Sequence, residues 1–575
     1  MRARFLTLAA SGLMVLTVAA TANATTANPS PFCARLGHDI QASAGAQMFC
    51  FGPQHTSSGG GASAGPSSLA PSFALNVDAA DPREDVTPSG AQAYGQSETS
   101  IAAVGPYVLE AWNDATGFFA PCPSPQSKEE LTGFGFSADG GATFTDEGGL
   151  PNANCNRDLI FGDPSVEGWR SGGTAYFYVS SLYDSASFLG PSYLALSPCK
   201  ATGTGTGAQV TCGQPVIIAR SSQCIKSHGL PFCSFLDKEF MSIDPVRGRL
   251  YVAYTEFGFS GNLFNGQINL AVCDLGTRAG GIGPAGGSAA TPVCSPGDRV
   301  ARKEAGVPVG NPYLVLAPAP TCVNQGSYPA VDVKSGDVYV AYEFNWFSNA
   351  LTGSPCNGIQ TKQVVDRVRF ACLVLATTSP CPGPSRSASV PVTSLDLAFV
   401  PGYNRFPPND FPRIAVDRPA GAVSIVWNDA RFHPLGDVLL QSFELGSLAK
   451  VQTAPVRLNA AATGGLHFMP ALRQAAPDGT LQVSWYERAS ANTSLTDVQA
   501  ALGVDPRTTV TPATNTLVTT QSSDWNNVSS DVIPNFGDYT DNYVRPTATG
   551  GVFYVAWSDG RLGLPQPFEA RAPAG

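Results

Sequence analysis

The chain repeats one phrase seven times, changing the letters but keeping the pattern. A polar or acidic lead-in precedes a short strand, then a Gly-containing turn, then an apolar strand that ends in an aromatic residue. The clearest copies run over residues 328–342 and 411–427; others cover 237–254, 467–485 and 538–557, and two weaker ones cover 98–112 and 163–179. A unit of this kind cannot bury its own apolar faces, so it must stack against its neighbours. Because the units are strands, the repeat predicts an all-β fold, a β-propeller with seven blades favoured over six. The second strands, such as 338–342 and 552–557, are apolar on both faces. A blade packed between two other blades requires that double-sided burial. Gly248, Gly336, Gly421, Gly479 and Gly551 stand just before second strands, where a tight hairpin needs positive φ.

Closing aromatics are spaced by roughly 58 to 88 residues, more than the 40–50 or so that a four-stranded blade needs. The surplus predicts loop insertions near 185–236, 258–327 and 344–410, where most of the 14 cysteines fall. Pairing along the chain is the simplest hypothesis, each bridge stapling a local loop: Cys33 with Cys50, Cys122 with Cys155, Cys199 with Cys212, Cys224 with Cys233, Cys273 with Cys294, Cys322 with Cys356, and Cys372 with Cys381. Disulfides belong to an oxidising compartment. The start of the chain agrees: Arg2 and Arg4, an apolar run over 6–20, and Ala22-Asn23-Ala24 make a secretory signal over 1–24. The expected location is therefore secreted, extracellular or periplasmic, with no membrane insertion. Residues 25–72, rich in Ser, Gly, Ala and Pro, are expected to form a flexible leader, and residues 73–575 the propeller. The closing strand of the ring is expected near residues 73–77.

Net charge is −10, and −12 once Arg2 and Arg4 leave with the signal. That balance argues against nucleic acid, whose phosphates demand a basic footprint. The five histidines are scattered, so no zinc or redox cofactor is expected; a structural calcium in an acidic loop stays open, as does the oligomeric state.

Residues 137–144, Ser-Ala-Asp-Gly-Gly-Ala-Thr-Phe, match the S-x-D-x-G-x-T-W/F turn called the Asp box. With the seven phrases, the chain over residues 73–575 resembles the sialidase-like (bacterial neuraminidase repeat) propellers. The resemblance implies action on glycans, with arginines holding a substrate carboxylate, a tyrosine with a nearby glutamate, and an aspartate as acid/base. The nearest counterpart to the family's arginine phrase is Phe411-Pro412-Arg413-Ile414, late in the chain; the first phrase, around Glu98, has no arginine.

Strand direction places the lead-ins and the ends of the second strands on one face of the ring, with the Gly turns and residues 137–144 on the other. Glycosidic bond hydrolysis needs two carboxyl groups at a fixed separation. The best pair on the lead-in face is Asp237 and Glu239, flanking Lys238, which a regular strand would aim the same way about 7 Å apart. Tyr539 beside Asp538 is the candidate activated tyrosine, and Asp163 a further acid. Lys238, Arg413, Tyr328 and Trp346 are the candidate substrate-binding residues, Trp346 as a platform for a sugar ring. In Trp427-Asn428-Asp429-Ala430-Arg431, Trp485-Tyr486-Glu487-Arg488 and Trp557-Ser558-Asp559-Gly560-Arg561, an acid close to an arginine predicts forked ion pairs that pin the loop. Two functions follow: a glycoside hydrolase acting on extracellular glycans, or a non-catalytic propeller that binds glycan or glycoprotein, with a purely structural surface protein as a third possibility.

Overall fold

The computed structural model describes residues 73–574, interrupted in several loops, together with residues 33, 43, 46, 50, 56 and 57. The signal at 1–24 and Cys122 lie outside the described residues. Strands dominate among the described residues, with a short α-helical turn at Ala115–Phe118. The strands form seven antiparallel blades, each with at least four strands side by side, in chain order except for the outer strand of the last blade. The innermost strands are Ser97–Val104, Ser165–Ser171, Phe235–Asp244, Gln325–Val331, Arg413–Asp417, Leu466–Ala471 and Asp541–Thr547, numbered here as blades 1 to 7. The weak phrase at 163–179 is a true blade, which excludes six.

Second strands are buried on both faces, as in Tyr107–Asn113 and Ala422–Asp429. Side-chain bonds tie neighbouring inner strands around the ring. Ser100 Oγ donates to Asp541 (2.6 Å) and accepts from Val166 N (2.9 Å), and Met241 N donates to Ser165 Oγ (3.3 Å). The hairpin glycines 248, 336, 421 and 479 have positive φ; in blade 7 that conformation falls on Gly550 instead of Gly551.

Both chain ends build blade 7. Val77–Asp78 pairs antiparallel with Gln566–Ala574, and Ala74 N and Ala79 N donate to Arg571 O and Pro567 O, each at 2.8 Å. This latch removes the exposed sheet edge that an open ring would present.

Six of the expected disulfides are formed: 33–50, 199–212, 224–233, 273–294, 322–356 and 372–381. Three of them join residues directly opposite on neighbouring strands, namely Cys199↔Cys212, Cys224↔Cys233 and Cys273↔Cys294. They staple outer strands and the hairpin Cys224–Ser227/Leu230–Cys233, which lies in the first expected insertion.

The described leader residues dock onto the propeller. Cys33, Ala46 and Cys50 are buried in the same hydrophobic cluster as Phe161, Leu236, Phe257 and Val323. Thr56–Ser57 pairs with Ser529–Ser530, between blades 6 and 7.

Candidate active site at the propeller axis

Each inner strand enters from the lead-in face, and most enter through an irregularity. Glu98, Asp163, Lys238 and Met469 have φ between 52° and 58°, and Gly326 has φ 69° at the corresponding place in blade 4. Register shifts fall at Ser97/Ser100, Asp237/Phe240, Gln325/Tyr328 and Phe468/Ala471. One extra residue per entry is a β-bulge, which re-aims the side chains it carries. At Gly326 a Cβ would stand 2.3 Å from the Phe411 ring, so only glycine fits. The bulge also changes the expectation for the acid pair. Lys238 is left-handed and the strand is not regular between Asp237 and Phe240, so the 7 Å same-side spacing does not apply to Asp237 and Glu239.

These entries bring Asp163, Asp237, Lys238, Glu239, Tyr328, Arg413, Asp538 and Tyr539 into one buried cluster. Lys238 Nζ forms an ion pair with Asp538 Oδ2. Asp538 N donates to Glu98 Oε1 (2.8 Å), Asn113 Nδ2 to Glu98 Oε2 (2.9 Å), and Asp163 N to Asn113 Oδ1 (2.6 Å). Asn409 Nδ2 donates to Asp538 O at 2.5 Å. The next layer along the axis is aromatic: Phe240 stacks on Tyr328 with centroids 3.6 Å apart and meets Tyr539 edge-on at 5.0 Å. The Arg413 guanidinium lies 3.7 Å above the Tyr328 ring and 5.7 Å from that of Tyr539. Glu98, Asn113 and Asn409 were not singled out from sequence. The available signal for Glu98 was its place in the repeat, which matches that of Asp163 and Lys238.

Two expected roles change. Tyr539 donates its hydroxyl to Pro164 O (3.1 Å), and Asp538 is engaged by Lys238. Burial, reinforced by Asp163, Glu98 and Glu239, holds the Tyr539 phenol well above its ordinary pKa. Trp346 is 3% exposed, its backbone N–H bonded to Val323 O beside the 322–356 disulfide, so its side chain is buried and not on an open face.

Both carboxyl oxygens of Glu239 are buried without a hydrogen-bond partner. Glu239 shares its electrostatic setting with Glu110, Glu343, Asp410 and Glu569, buried acids whose carboxyl oxygens also lack hydrogen-bond partners. Burial drives the Glu239 pKa well above the carboxylate range, and Asp237 adds to the effect while Lys238 opposes it. Burial of this kind favours the protonated form of a carboxyl group. Burial, then Glu98 and Asp237, raise Asp163 likewise. Burial lowers Arg413 to about 9. Asp237 differs from Glu239, because its Oδ1 accepts from Lys238 N (2.8 Å) and its Oδ2 from Ser43 N of the leader (3.2 Å). The arrangement thus contains a buried carboxyl group without hydrogen-bond partners, next in the chain but one to a carboxyl group held by N–H donors, closed from solvent where the leader docks. Among the described residues no group of three or more His, Cys, Asp or Glu side chains is placed to hold a metal ion.

The second-strand ends behave as structural forks where the spacing is W-x-D-x-R. Arg431 donates through Nε and Nη2 to Asp429 at 2.8 and 2.7 Å, and Trp427 Nε1 donates to the same carboxylate at 2.9 Å. Arg561, Asp559 and Trp557 repeat this at 2.9, 2.7 and 2.7 Å. In blade 6 the acid and arginine are adjacent in sequence, and Arg488 Nε bonds Thr496 Oγ1 (2.7 Å) instead. In the turn at 137–144, Ser137 Oγ accepts from Gly141 N (2.9 Å) and Asp139 accepts from Thr143 N (3.0 Å), away from the lead-in cluster.

No family model and no curated protein matches the sequence. Among solved structures the chain is similar to an α-L-arabinofuranosidase of Fusarium graminearum in complex with arabinobiose, at 10% identity and TM-score 0.40, covering 87% of this chain and 98% of that one. It is similar to an α-L-arabinanase of Penicillium chrysogenum complexed with arabinobiose, at 11% identity and TM-score 0.37, with the same coverage. A sialidase of Trypanosoma rangeli in complex with the inhibitor DANA aligns at 10% identity and TM-score 0.32, covering 88% of this chain and 60% of that one.

Proposed function

We propose that the chain is an exported glycoside hydrolase acting on extracellular glycans, with Glu239 as the proton donor and Asp237 as its partner carboxyl group. The observation that carries this reading is the geometry at Glu239: a buried carboxyl group whose side-chain oxygens lack hydrogen-bond partners, next in the chain but one to a second carboxyl group that accepts two N–H bonds. Two carboxyl groups in unlike environments provide the division of labour that glycosidic cleavage uses, one giving a proton to the leaving oxygen and the other serving as base or nucleophile. The docked leader must lift before a sugar reaches them. Six disulfide bonds fit an extracellular setting, and no described helix is long and apolar enough to cross a membrane.

A second reading has its own support. Asp237, Lys238, Glu239 and Asp538 are each at most 1% exposed, and the bonds of Lys238 and Asp538, continued through Glu98, Asn113 and Asp163, link blades 1, 2, 3 and 7. The cluster would then lock the ring, and the protein would bind glycan or glycoprotein without cleaving it. Turnover of a panel of fluorogenic glycosides, including a sialoside and an arabinoside, separates the two. The hydrolase reading expects turnover that falls by at least about a hundredfold in folded Glu239→Gln and Asp237→Asn. Glycan binding without turnover on any linkage supports the second reading and overturns the first.

A further inference from the structure

The turn-side mouth of the axis, opposite the lead-in cluster, holds a cavity of about 540 Å³. That volume lies within the range of roughly 300–1,000 Å³ typical of small-molecule sites. Its floor is a cross-blade tie. Arg473 of blade 6 pairs with Asp541 of blade 7 and with Glu167 of blade 2 (3.2 Å to Oε1), and donates to Val166 O at 2.5 Å. Glu167 is 2% exposed and lines the cavity, and its second oxygen, Oε2, has no hydrogen-bond partner. Burial raises its pKa above the ordinary carboxyl value against the pull of Arg473. The walls are largely apolar, with Ile243, Val331 and Val416 half-buried and facing the space.

Charge at the rim is unbalanced. Four arginines line the cavity against the acids Glu167 and Asp332. Arg418 is taken by Asp332, and Arg473 by Asp541 and Glu167. Arg170 and Arg545 bond only Gly173 O and Tyr554 OH respectively, and neither has a carboxylate partner among the described residues. A guanidinium with spare N–H donors at the edge of an apolar funnel suits a carboxylate or sulfonate on an apolar body.

We propose that this cavity is a binding site for a small amphipathic organic anion, its apolar body against Ile243, Val331 and Val416, its charged group between Arg170 and Arg545, and a polar atom on Glu167 Oε2. The site is separate from the lead-in cluster, so its test does not depend on the hydrolase reading. The full disulfide-bonded chain is titrated with anilinonaphthalene sulfonate, followed by fluorescence, and with the uncharged phenylnaphthylamine of the same shape. The expected result is one saturable site for the anion. The double variant Arg170→Ala/Arg545→Ala, altered only at the rim, weakens the anion at least tenfold and the neutral probe less than twofold. Val416→Trp, which fills the funnel, abolishes both. Thermal melts establish that each variant is folded; should Val416→Trp fail to fold, the rim variant alone decides. The absence of a saturable site, or a rim variant that binds the anion as tightly as the parent chain, overturns the proposal.

Discussion

Lys238 and Asp538, 300 residues apart in the chain, form an ion pair in which neither side chain reaches solvent. The pair spans from blade 3 to the entry of blade 7, so it forms only when the ring is closed. Taking two charges out of water is costly, and removing one partner is worse than removing both, because the remaining charge stays buried and uncompensated. Lys238→Met alone should destabilise the protein by about 3–5 kcal/mol. The double variant Lys238→Met/Asp538→Leu should recover at least half of that loss. Chemical denaturation of the parent chain and the two variants checks this, and equal losses in single and double variants would mean that the pair is not coupled.

The pH dependence of stability follows from the buried acids. Burial raises Asp78, Asp114, Asp184 and Glu569 to about 8 and Asp85 to about 7 in the folded chain. A carboxyl group whose folded pKa lies above its unfolded value binds more protons when folded. Its contribution is complete below the unfolded pKa near 4 and is lost as pH rises through the folded value. The protein should therefore be more stable at pH 5 than at pH 8, by several kcal/mol in total on the scale of about 1.4 kcal/mol per pKa unit. Denaturant midpoints across this range test the slope. Glu239→Gln, which cannot ionise, should flatten it and be no less stable than the parent at pH 8.

Much of the propeller was legible because its signals are local and repeated. The seven phrases, the hairpin glycines at 248, 336, 421 and 479, and close cysteine pairs such as 224 with 233 each report on a few neighbouring residues. The ring closure was legible because an unpaired edge after the last phrase demands a strand, which Val77–Asp78 supplies. What escaped depends on the closed ring. Glu98 looked like a lead-in lacking an arginine, yet its carboxylate organises Asn113 and Asp538 from two other elements. The bulge at Lys238 breaks the period-two alternation on which the spacing of Asp237 and Glu239 was read, and no nearby glycine marks it. Trp346 was ambiguous because an aromatic after a second strand suits either a platform or a packed loop.

The W-x-D-x-R ends predict a contrast between blades. Asp559 accepts from Trp557 Nε1, from Ser523 Oγ (2.7 Å), and from the Arg561 backbone (2.8 Å) and guanidinium. Asp559→Ala should cost about 3–5 kcal/mol, since it strands a buried indole N–H and an arginine whose side chain is only 9% exposed. Glu487→Ala in blade 6 should cost below about 1 kcal/mol, because that side chain is 24% exposed and makes no fork. Thermal melts of the two variants provide the comparison.

The leader gives the last prediction. Ser43 N reaches Asp237 Oδ2, Ala46 and Cys50 are fully buried, and Thr56–Ser57 pairs across to Ser529–Ser530. The same chain segment thus touches the lead-in cluster at blade 3 and the insertion between blades 6 and 7. Removing residues 25–57 leaves the latch at Val77–Asp78 intact, so the ring should still close and fold. Asp237 would lose one of its N–H donors, and apolar surface around Phe161 and Leu236 would meet water. Hydrogen exchange should then accelerate in Phe235–Asp244 while staying slow in Ala422–Asp429, which the leader does not approach in any described contact. If the hydrolase reading holds, glycoside turnover should rise in the shortened chain, because the acid pair becomes reachable. A shortened chain whose exchange in Phe235–Asp244 is unchanged would show that the leader does not shield the cluster, whatever its activity.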